Sequence, residues 1–211
     1  MTANTPELKT GTTTVGVIAN DAVILAADMR ASLGHIAYDE ENDKLSEITK
    51  HIGLTNAGSV GDTMTIVRFL RSHTKMYELE REHEISPKAL VTYLANVLSS
   101  RYWEVQYLVG GFGDKPQLFE VAPGGAILER NKYAVSGSGT EFALTTLDVG
   151  YKENLSREDA ITLAIAAISS GKRRDIFSGG QSVSVMIIDQ NGTARLPQKQ
   201  VEKYLKTSKN I

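Results

Sequence analysis

Hydrophobic and polar positions along the chain follow two different periods, and the switches between them divide it into blocks. From Thr12 to Ile18 the chain is rich in β-branched residues. Asn20-Asp21 then reads as a turn, and Ala22 to Ala27 is a short apolar run, which predicts two strands in succession. Further strands are expected at Lys44 to Ile48 and His51 to Ala57. The period then lengthens. Ile66, Phe69, Leu70, His73 and Tyr77 share one helical face. Ser86 before Pro87 reads as an N-cap with proline in the first turn. Leu90, Leu94 and Val97 carry that second helix toward Trp103.

Strand signals return at Val105 to Val109, Gln117 to Val121, Ala126 to Arg130 and Tyr133 to Val135, with Gly110-Gly111 and Pro123-Gly124-Gly125 as punctuation. A second helical pair follows. Thr140 to Tyr151 is its first member. Ser156 caps the next, with Asp159 three residues on, and Ile161, Ala164, Ile165 and Ile168 form its apolar stripe. Ser182 to Ile188, a turn at Asn191-Gly192, and Thr193 to Leu196 predict a closing hairpin. The lysine-rich tail after Pro197 reads as a solvated end.

Helix pairs separate groups of strands, so the helices do not alternate with single strands. That order disfavours a doubly wound parallel sheet and points to an α+β fold with sheets layered between helix pairs. No linker or repeat divides the 211 residues, which fits one domain. Hydrophobic residues make up 41% and charged residues 23%, a globular composition. There is no cysteine, which excludes a disulfide framework, a thiolate metal site and a cysteine nucleophile. The net charge of -2 favours neither nucleic acid nor an anionic membrane as partner. The polar stretch Met1 to Gly11 lacks the apolar centre of a secretion signal. The sequons Asn154-Leu155-Ser156 and Asn191-Gly192-Thr193 are therefore read as a helix start and a turn.

Several chemistries fail on spacing. His35, His51, His73 and His83 show no metal-ligand pattern. The run Asp39-Glu40-Glu41-Asn42-Asp43 lacks the central glycine and final glutamate of a calcium loop and reads as a solvated turn. Gly110-Gly111-Phe112-Gly113 lacks the Lys-Ser/Thr ending of a phosphate loop. Lys172-Arg173-Arg174 sits where cations complement a helix C-terminus.

The segment Gly11-Thr12-Thr13-Thr14, at the junction of polar leader and apolar strand, is by itself only good strand material. It gains weight beside Asp28 and Arg30, Lys44 sixteen residues after Asp28, Asn56-Ala57-Gly58-Ser59-Val60-Gly61-Asp62 before a helix, Ser136-Gly137-Ser138-Gly139, Arg174-Asp175, and Ser178-Gly179-Gly180. In that set and order, the chain from Gly11 to Pro197 resembles the 20S proteasome β-subunit, most closely the archaeal kind.

The resemblance implies an N-terminal-nucleophile hydrolase with a four-layer αββα sandwich. Residues 1–11 become a propeptide removed by self-cleavage between Gly11 and Thr12, and residues 12–211 a single catalytic domain. Thr12 is then the nucleophile of a threonine endopeptidase. Lys44 would lower the pKa of its hydroxyl and amine, Asp28 would hold Lys44, and the Gly58 N–H would serve the oxyanion. Ser138, Asp175 and Ser178 would position the amine. Ala31, Ser32, Asn56, Gly58 and Val60 are the substrate-binding candidates; Asn56 departs from the apolar residue expected for a chymotrypsin-like preference. The implied partners are proteasome α-subunits, copies of the chain itself in a heptameric β-ring stacked on a second, and unfolded polypeptides delivered by a regulatory ATPase in the cytoplasm. A non-catalytic structural β-subunit and a related N-terminal-nucleophile amidohydrolase are the alternatives.

The chemistry has its own logic. A threonine hydroxyl needs a base to act at neutral pH. While Gly11 is attached, the Thr12 nitrogen is an amide and cannot serve. Cleavage frees an α-amine with a reference pKa of about 7.7–8.0.

Overall fold

The computed structural model describes residues 11–208, so the leader up to residue 10 and the last three residues lie outside it. The chain opens with β1 (Thr14–Ile18) and β2 (Ala22–Asp28). A small hairpin follows, β3 (Ala31–Leu33) and β4 (Ile36–Asp39), then β5 (Leu45–Thr49) and β6 (Ile52–Gly58). The first helical pair is α1 (Val60–Arg81) and α2 (Pro87–Ser100). Strands β7 (Val105–Phe112), β8 (Pro116–Val121), β9 (Ile127–Arg130) and β10 (Tyr133–Ser136) come next. The second pair is α3 (Thr140–Gly150) and α4 (Arg157–Arg174), before β11 (Val183–Asp189), β12 (Gly192–Arg195) and α5 (Gln198–Thr207).

Two five-stranded antiparallel sheets carry the fold, in the orders β10-β1-β2-β11-β12 and β5-β6-β7-β8-β9. Strand alternation distributes the core. On β2, Ile24 and Ala26 face α3 and α4 with Ile161, Ala164, Ile165 and Ile168, while Val23, Leu25 and Ala27, with Met186 of the neighbouring β11, face Leu108 and Leu118 of the other sheet. On the far side Leu54, Tyr107 and Val109 pack against Ile66, Leu70, Leu90 and Leu94 of α1 and α2. The layers are thus helix pair, sheet, sheet, helix pair, the αββα arrangement.

The capping signals at Ser86 and Ser156 are realised, accepting from the backbone of Ala89 and Asp159, and Ser59 caps α1 by accepting from Asp62. Four details differ from the sequence reading. Gly110 and Gly111 do not punctuate but lie inside β7. A Cβ on Gly111 would come within 2.5 Å of Pro87 at the start of α2, and one on Gly110 within 3.0 Å of Val23 and Ile188 of the facing sheet. The glycines let both neighbouring layers close on β7. Phe69 is not on the buried face of α1; it is 52% exposed, and the buried face is Thr63, Ile66, Val67, Leu70 and Thr74. The tail after Pro197 is not merely solvated: α5 buries Val201 and packs Tyr204 and Leu205 against the α3–α4 core. The exposed β3–β4 hairpin, too short to show alternation, was not anticipated.

Candidate active site

The site forms where β1 begins. Thr14 pairs with Ala27 of β2 and Ser136 of β10, so the two residues before β1 emerge between the end of β2 and the turn that follows β10. Thr12, Thr13 and Thr14 are all buried, at 5%, 0% and 0% exposure. Alternation sends Thr14 toward the other sheet, where it meets the hydroxyls of Ser136 at 2.7 Å and Thr55 at 3.0 Å. Thr13 faces the opposite way, toward α4.

One circuit of hydrogen bonds runs through the Thr12 nitrogen. Its N–H donates to Ser138 Oγ at 3.1 Å. Ser138 Oγ donates to Asp175 Oδ2 at 2.5 Å, and Ser178 Oγ donates to that same oxygen at 2.6 Å. Asp175 is the residue that ends α4, and Ser138 lies just before α3, so the two outer helices deliver these groups. A carboxylate only accepts, so it orients both hydroxyls with their protons toward it. Ser138 is thereby left as an acceptor facing the Thr12 nitrogen.

A second circuit centres on Asp28, which is fully buried at the end of β2. Its Oδ1 accepts from the Thr13 N–H at 2.9 Å and from Lys44 Nζ at 2.8 Å. Its Oδ2 accepts from the N–H groups of Gly179 at 2.8 Å and Arg30 at 3.2 Å. Lys44 completes its donor set with the carbonyls of Asp28 at 3.2 Å and Arg30 at 2.6 Å. All three ammonium protons are therefore directed to residues 28 and 30, and Lys44 reaches Thr12 by its field rather than by a hydrogen bond. Burial pushes the Lys44 pKa below its ordinary 10.5, with the Asp28 charge and hydrogen bond opposing that shift. Lys172 is also lowered, again chiefly by burial, and donates to the Ser182 carbonyl at 2.9 Å.

The Thr12 hydroxyl donates to the carbonyl oxygen of Gly11 at 2.7 Å, so it lies against the peptide bond that joins the two residues. Gly11 is buried, and a side chain there would collide with Phe177. Gly58 closes β6 with φ of +112°, and a Cβ there would strike the Glu104 carbonyl; Ser59 then caps α1.

Of the substrate-binding candidates, Ala31, Ser32 and Val60 line a cleft of about 610 Å³, together with Leu33, Tyr38, Asp39, Asn42, Ser59 and Glu104. Ser32 Oγ donates to the Phe177 carbonyl at 3.0 Å, which joins this wall to the segment packed on Gly11. Asn56 and Gly58 stand on β6 outside that lining. Among the described residues, no group of three His, Asp or Glu is arranged to hold a metal ion. No described helix is long and apolar enough to cross a membrane.

The structure thus brings Thr12, Asp28, Lys44, Ser138, Asp175 and Ser178 into one hydrogen-bonded network, buried at Thr12, Asp28, Lys44 and Ser178, half-buried at Asp175 and open to solvent at Ser138. Among the described residues only Ser138 hydrogen-bonds the Thr12 nitrogen; Asp175 is joined to it through the Ser138 hydroxyl, and Ser178 through the Asp175 carboxylate. The sequence reading gave no role to Thr13, Gly171 or Phe177. A lone glycine inside the apolar pattern of α4 was the one available signal for Gly171.

A family model described as "Proteasome subunit" matches residues 8–188. Proteasome subunit beta 2 of Pyrococcus furiosus is 43% identical over 199 residues, covering 93% of this chain and 96% of that protein. Proteasome subunit beta 1 of Thermococcus sibiricus is 40% identical over 199 residues, with 93% and 95% covered. Proteasome subunit beta of Methanocaldococcus fervens is 40% identical over 200 residues, with 92% and 89% covered.

Proposed function

The chain belongs to the proteasome subunit family, and from that premise we propose that it is a catalytic β-subunit: a threonine endopeptidase that activates itself by cleavage between Gly11 and Thr12. The observation that carries this reading is the placement of Thr12. Its hydroxyl lies against the Gly11 carbonyl and its nitrogen on a serine oriented by Asp175, beside the buried Asp28–Lys44 pair. A structural subunit has no need of that combination.

In self-cleavage the Thr12 hydroxyl attacks the Gly11 carbonyl carbon. The C–N bond breaks, the hydroxyl proton ends on the departing nitrogen, and water hydrolyses the ester left on Thr12. Gly11 leaves as a carboxylate and Thr12 gains an α-amine. In turnover that amine takes the hydroxyl proton as the oxygen attacks a substrate carbonyl. Ser138, kept as an acceptor by Asp175, holds one amine N–H and so directs the lone pair. Lys44 stabilises negative charge on the oxygen, and the Gly58 N–H is assigned to the tetrahedral oxyanion. The scissile C–N bond then breaks as the Thr12 ammonium returns that proton to the leaving amine, and water hydrolyses the acyl-enzyme to free the carboxylate and the Thr12 hydroxyl. Ala31, Ser32 and Val60 line the cleft that receives the substrate side chain, with Asn56 and Gly58 behind it on β6.

The same reading makes residues 1–11 a propeptide. It assembles the chain with α-subunits and with copies of itself in stacked heptameric β-rings, and places the sites in an enclosed cytoplasmic chamber fed with unfolded polypeptide by a regulatory ATPase. Confinement suits an unselective peptidase. The test is the intact mass of the chain assembled with its cognate α-subunit. Loss of residues 1–11, and failure of Thr12→Ala to lose them or to hydrolyse peptides, is expected. A full-length mass in an assembled particle overturns the catalytic reading in favour of a structural subunit.

A further inference from the structure

The Thr13 side chain is held more tightly than a strand residue needs. Its Oγ1 lies 2.7 Å from Ser178 Oγ. The single proton of Ser178 is directed to Asp175 Oδ2, so Thr13 is the donor of this bond and Ser178 the acceptor. The hydroxyl and methyl occupy a slot built from two missing side chains. A Cβ on Gly139 would collide with Thr13 Oγ1. One on Gly171 would collide with the same atom and come within 2.9 Å of Cγ2. Gly139 precedes α3 and Gly171 lies in the last turn of α4, so two different helices leave space for one hydroxyl.

The backbone of Thr13 is held as firmly. Its N–H donates to Asp28 Oδ1 at 2.9 Å, and its carbonyl accepts from the Asp28 N–H at 3.1 Å. Thr13 therefore joins both circuits around Thr12. Its main chain is tied to the carboxylate that holds Lys44, and its side chain to the serine and carboxylate that orient Ser138.

We propose that Thr13 is a positioning residue for the nucleophile: its hydroxyl, keyed between Gly139 and Gly171 and donated to Ser178, sets the Thr12 nitrogen and oxygen relative to Ser138 and Lys44. The proposal rests on Thr12 being the nucleophile. It follows from the sensitivity of reaction rates to the placement of reacting groups, where an error of about 1 Å costs about 100-fold. Packing alone would require only a side chain of threonine's shape. Positioning requires the hydrogen bond.

Two variants separate these roles. Thr13→Val keeps the shape and loses the donor; Thr13→Ser keeps the donor and loses the methyl. Both are made in the full chain and assembled with the cognate α-subunit, and steady-state hydrolysis of a fluorogenic peptide is measured. Thr13→Val is expected to lower kcat about 10- to 100-fold with KM changed less than about twofold, and to slow loss of the leader by intact mass. Thr13→Ser is expected to keep kcat within about threefold. A kcat for Thr13→Val within about twofold of wild type overturns the proposal, as does an equal loss in both variants, which would mean packing. If Thr13→Val does not assemble, Gly171→Ala decides the matter, because it keeps the hydroxyl but fills its slot. A fall in kcat at unchanged KM supports the proposal, and an unchanged kcat overturns it. Failure of the underlying reading looks different: the wild-type particle would itself neither lose residues 1–11 nor hydrolyse peptide.

Discussion

Asp28 and Lys44 form an ion pair with 2.8 Å between Oδ1 and Nζ, and their side chains are 0% and 4% exposed. Both charges are satisfied beyond the pair. Asp28 accepts three backbone N–H groups and Lys44 donates to two carbonyls. A pair buried this deeply persists only with such support.

On the proposed mechanism, the pair should set the alkaline limb of activity. The folded Lys44 pKa lies below 10.5, so the ammonium is lost at lower pH than in a free lysine. With the charge that stabilises the nucleophile gone, kcat/KM should fall on a limb beginning below pH 10.5. Burial is the larger cause and Asp28 is the main opposition to it, so Asp28→Asn removes most of that opposition and lowers the pKa further. That limb should therefore move to lower pH in Asp28→Asn. A pH–rate profile in which it stays fixed or moves upward removes Lys44 as its source.

Gly11 should be required for processing. A Cβ at position 11 would collide with Phe177 Cβ and lie 2.7 Å from its Cα. Gly11→Ala is expected to slow loss of the leader at least about tenfold, because the carbonyl must move away from the Thr12 hydroxyl. Phe177→Gly in the same chain should restore part of the rate. Intact mass against time reads both, and unimpaired processing of Gly11→Ala would show that the packing seen here is not that of the reacting state.

The cleft proposed to receive substrate should discriminate by charge. Asp39 and Glu104 line it, and among the described residues no lysine or arginine does. Peptides that place Lys or Arg in the cleft should be cut in preference to those that place Asp or Glu. The ratio of their kcat/KM values should fall about fivefold in Asp39→Asn/Glu104→Gln. It should also fall with added salt, since exposed charges are screened. A ratio indifferent to both substitution and salt would mean that these carboxylates do not face the substrate.

Tyr107 offers a stability test away from the chemistry. Its hydroxyl is buried beneath α1 beside that of Thr63, and among the described residues neither makes a hydrogen bond of good geometry; burial pushes the Tyr107 pKa up and the Thr63 hydroxyl opposes that shift. An unpaired buried hydroxyl costs about 1–3 kcal/mol. Tyr107→Phe removes it and keeps the ring, so thermal melting should show equal or higher stability, by up to about 1 kcal/mol. A clear fall in Tm would mean that the hydroxyl is satisfied in solution.

The layered fold was legible because long periodic segments announce themselves. The stripe Ile161, Ala164, Ile165 and Ile168, and the serine caps at Ser86 and Ser156, recur in α4 and α2 as read. Short or strained pieces were not legible. The β3–β4 hairpin spans three and four residues and is exposed, so it has no alternation to show. Gly110-Gly111 reads as a break because glycine usually marks one. Only the neighbouring layers, closing on both faces of β7, explain why glycine is needed inside a strand. The slope of α1 misled in the same way: Phe69 satisfies the apolar period but lies just off the face that packing selects. Val201, Tyr204 and Leu205 of α5 had helical spacing, but lysines around them masked it.

The sequence by itself determined the element order, the caps, and which residue types in which order carry the family resemblance, because periodicity and motif are properties of neighbours along the chain. The tertiary structure decided how those residues are wired: that Ser138, alone among the described residues, hydrogen-bonds the Thr12 nitrogen, that Lys44 spends its three protons on residues 28 and 30, and that Thr13 links the two circuits. These contacts join residues up to 165 positions apart. Their partners are chosen by strand register and by space left at Gly139 and Gly171 in two helices, which no local pattern encodes.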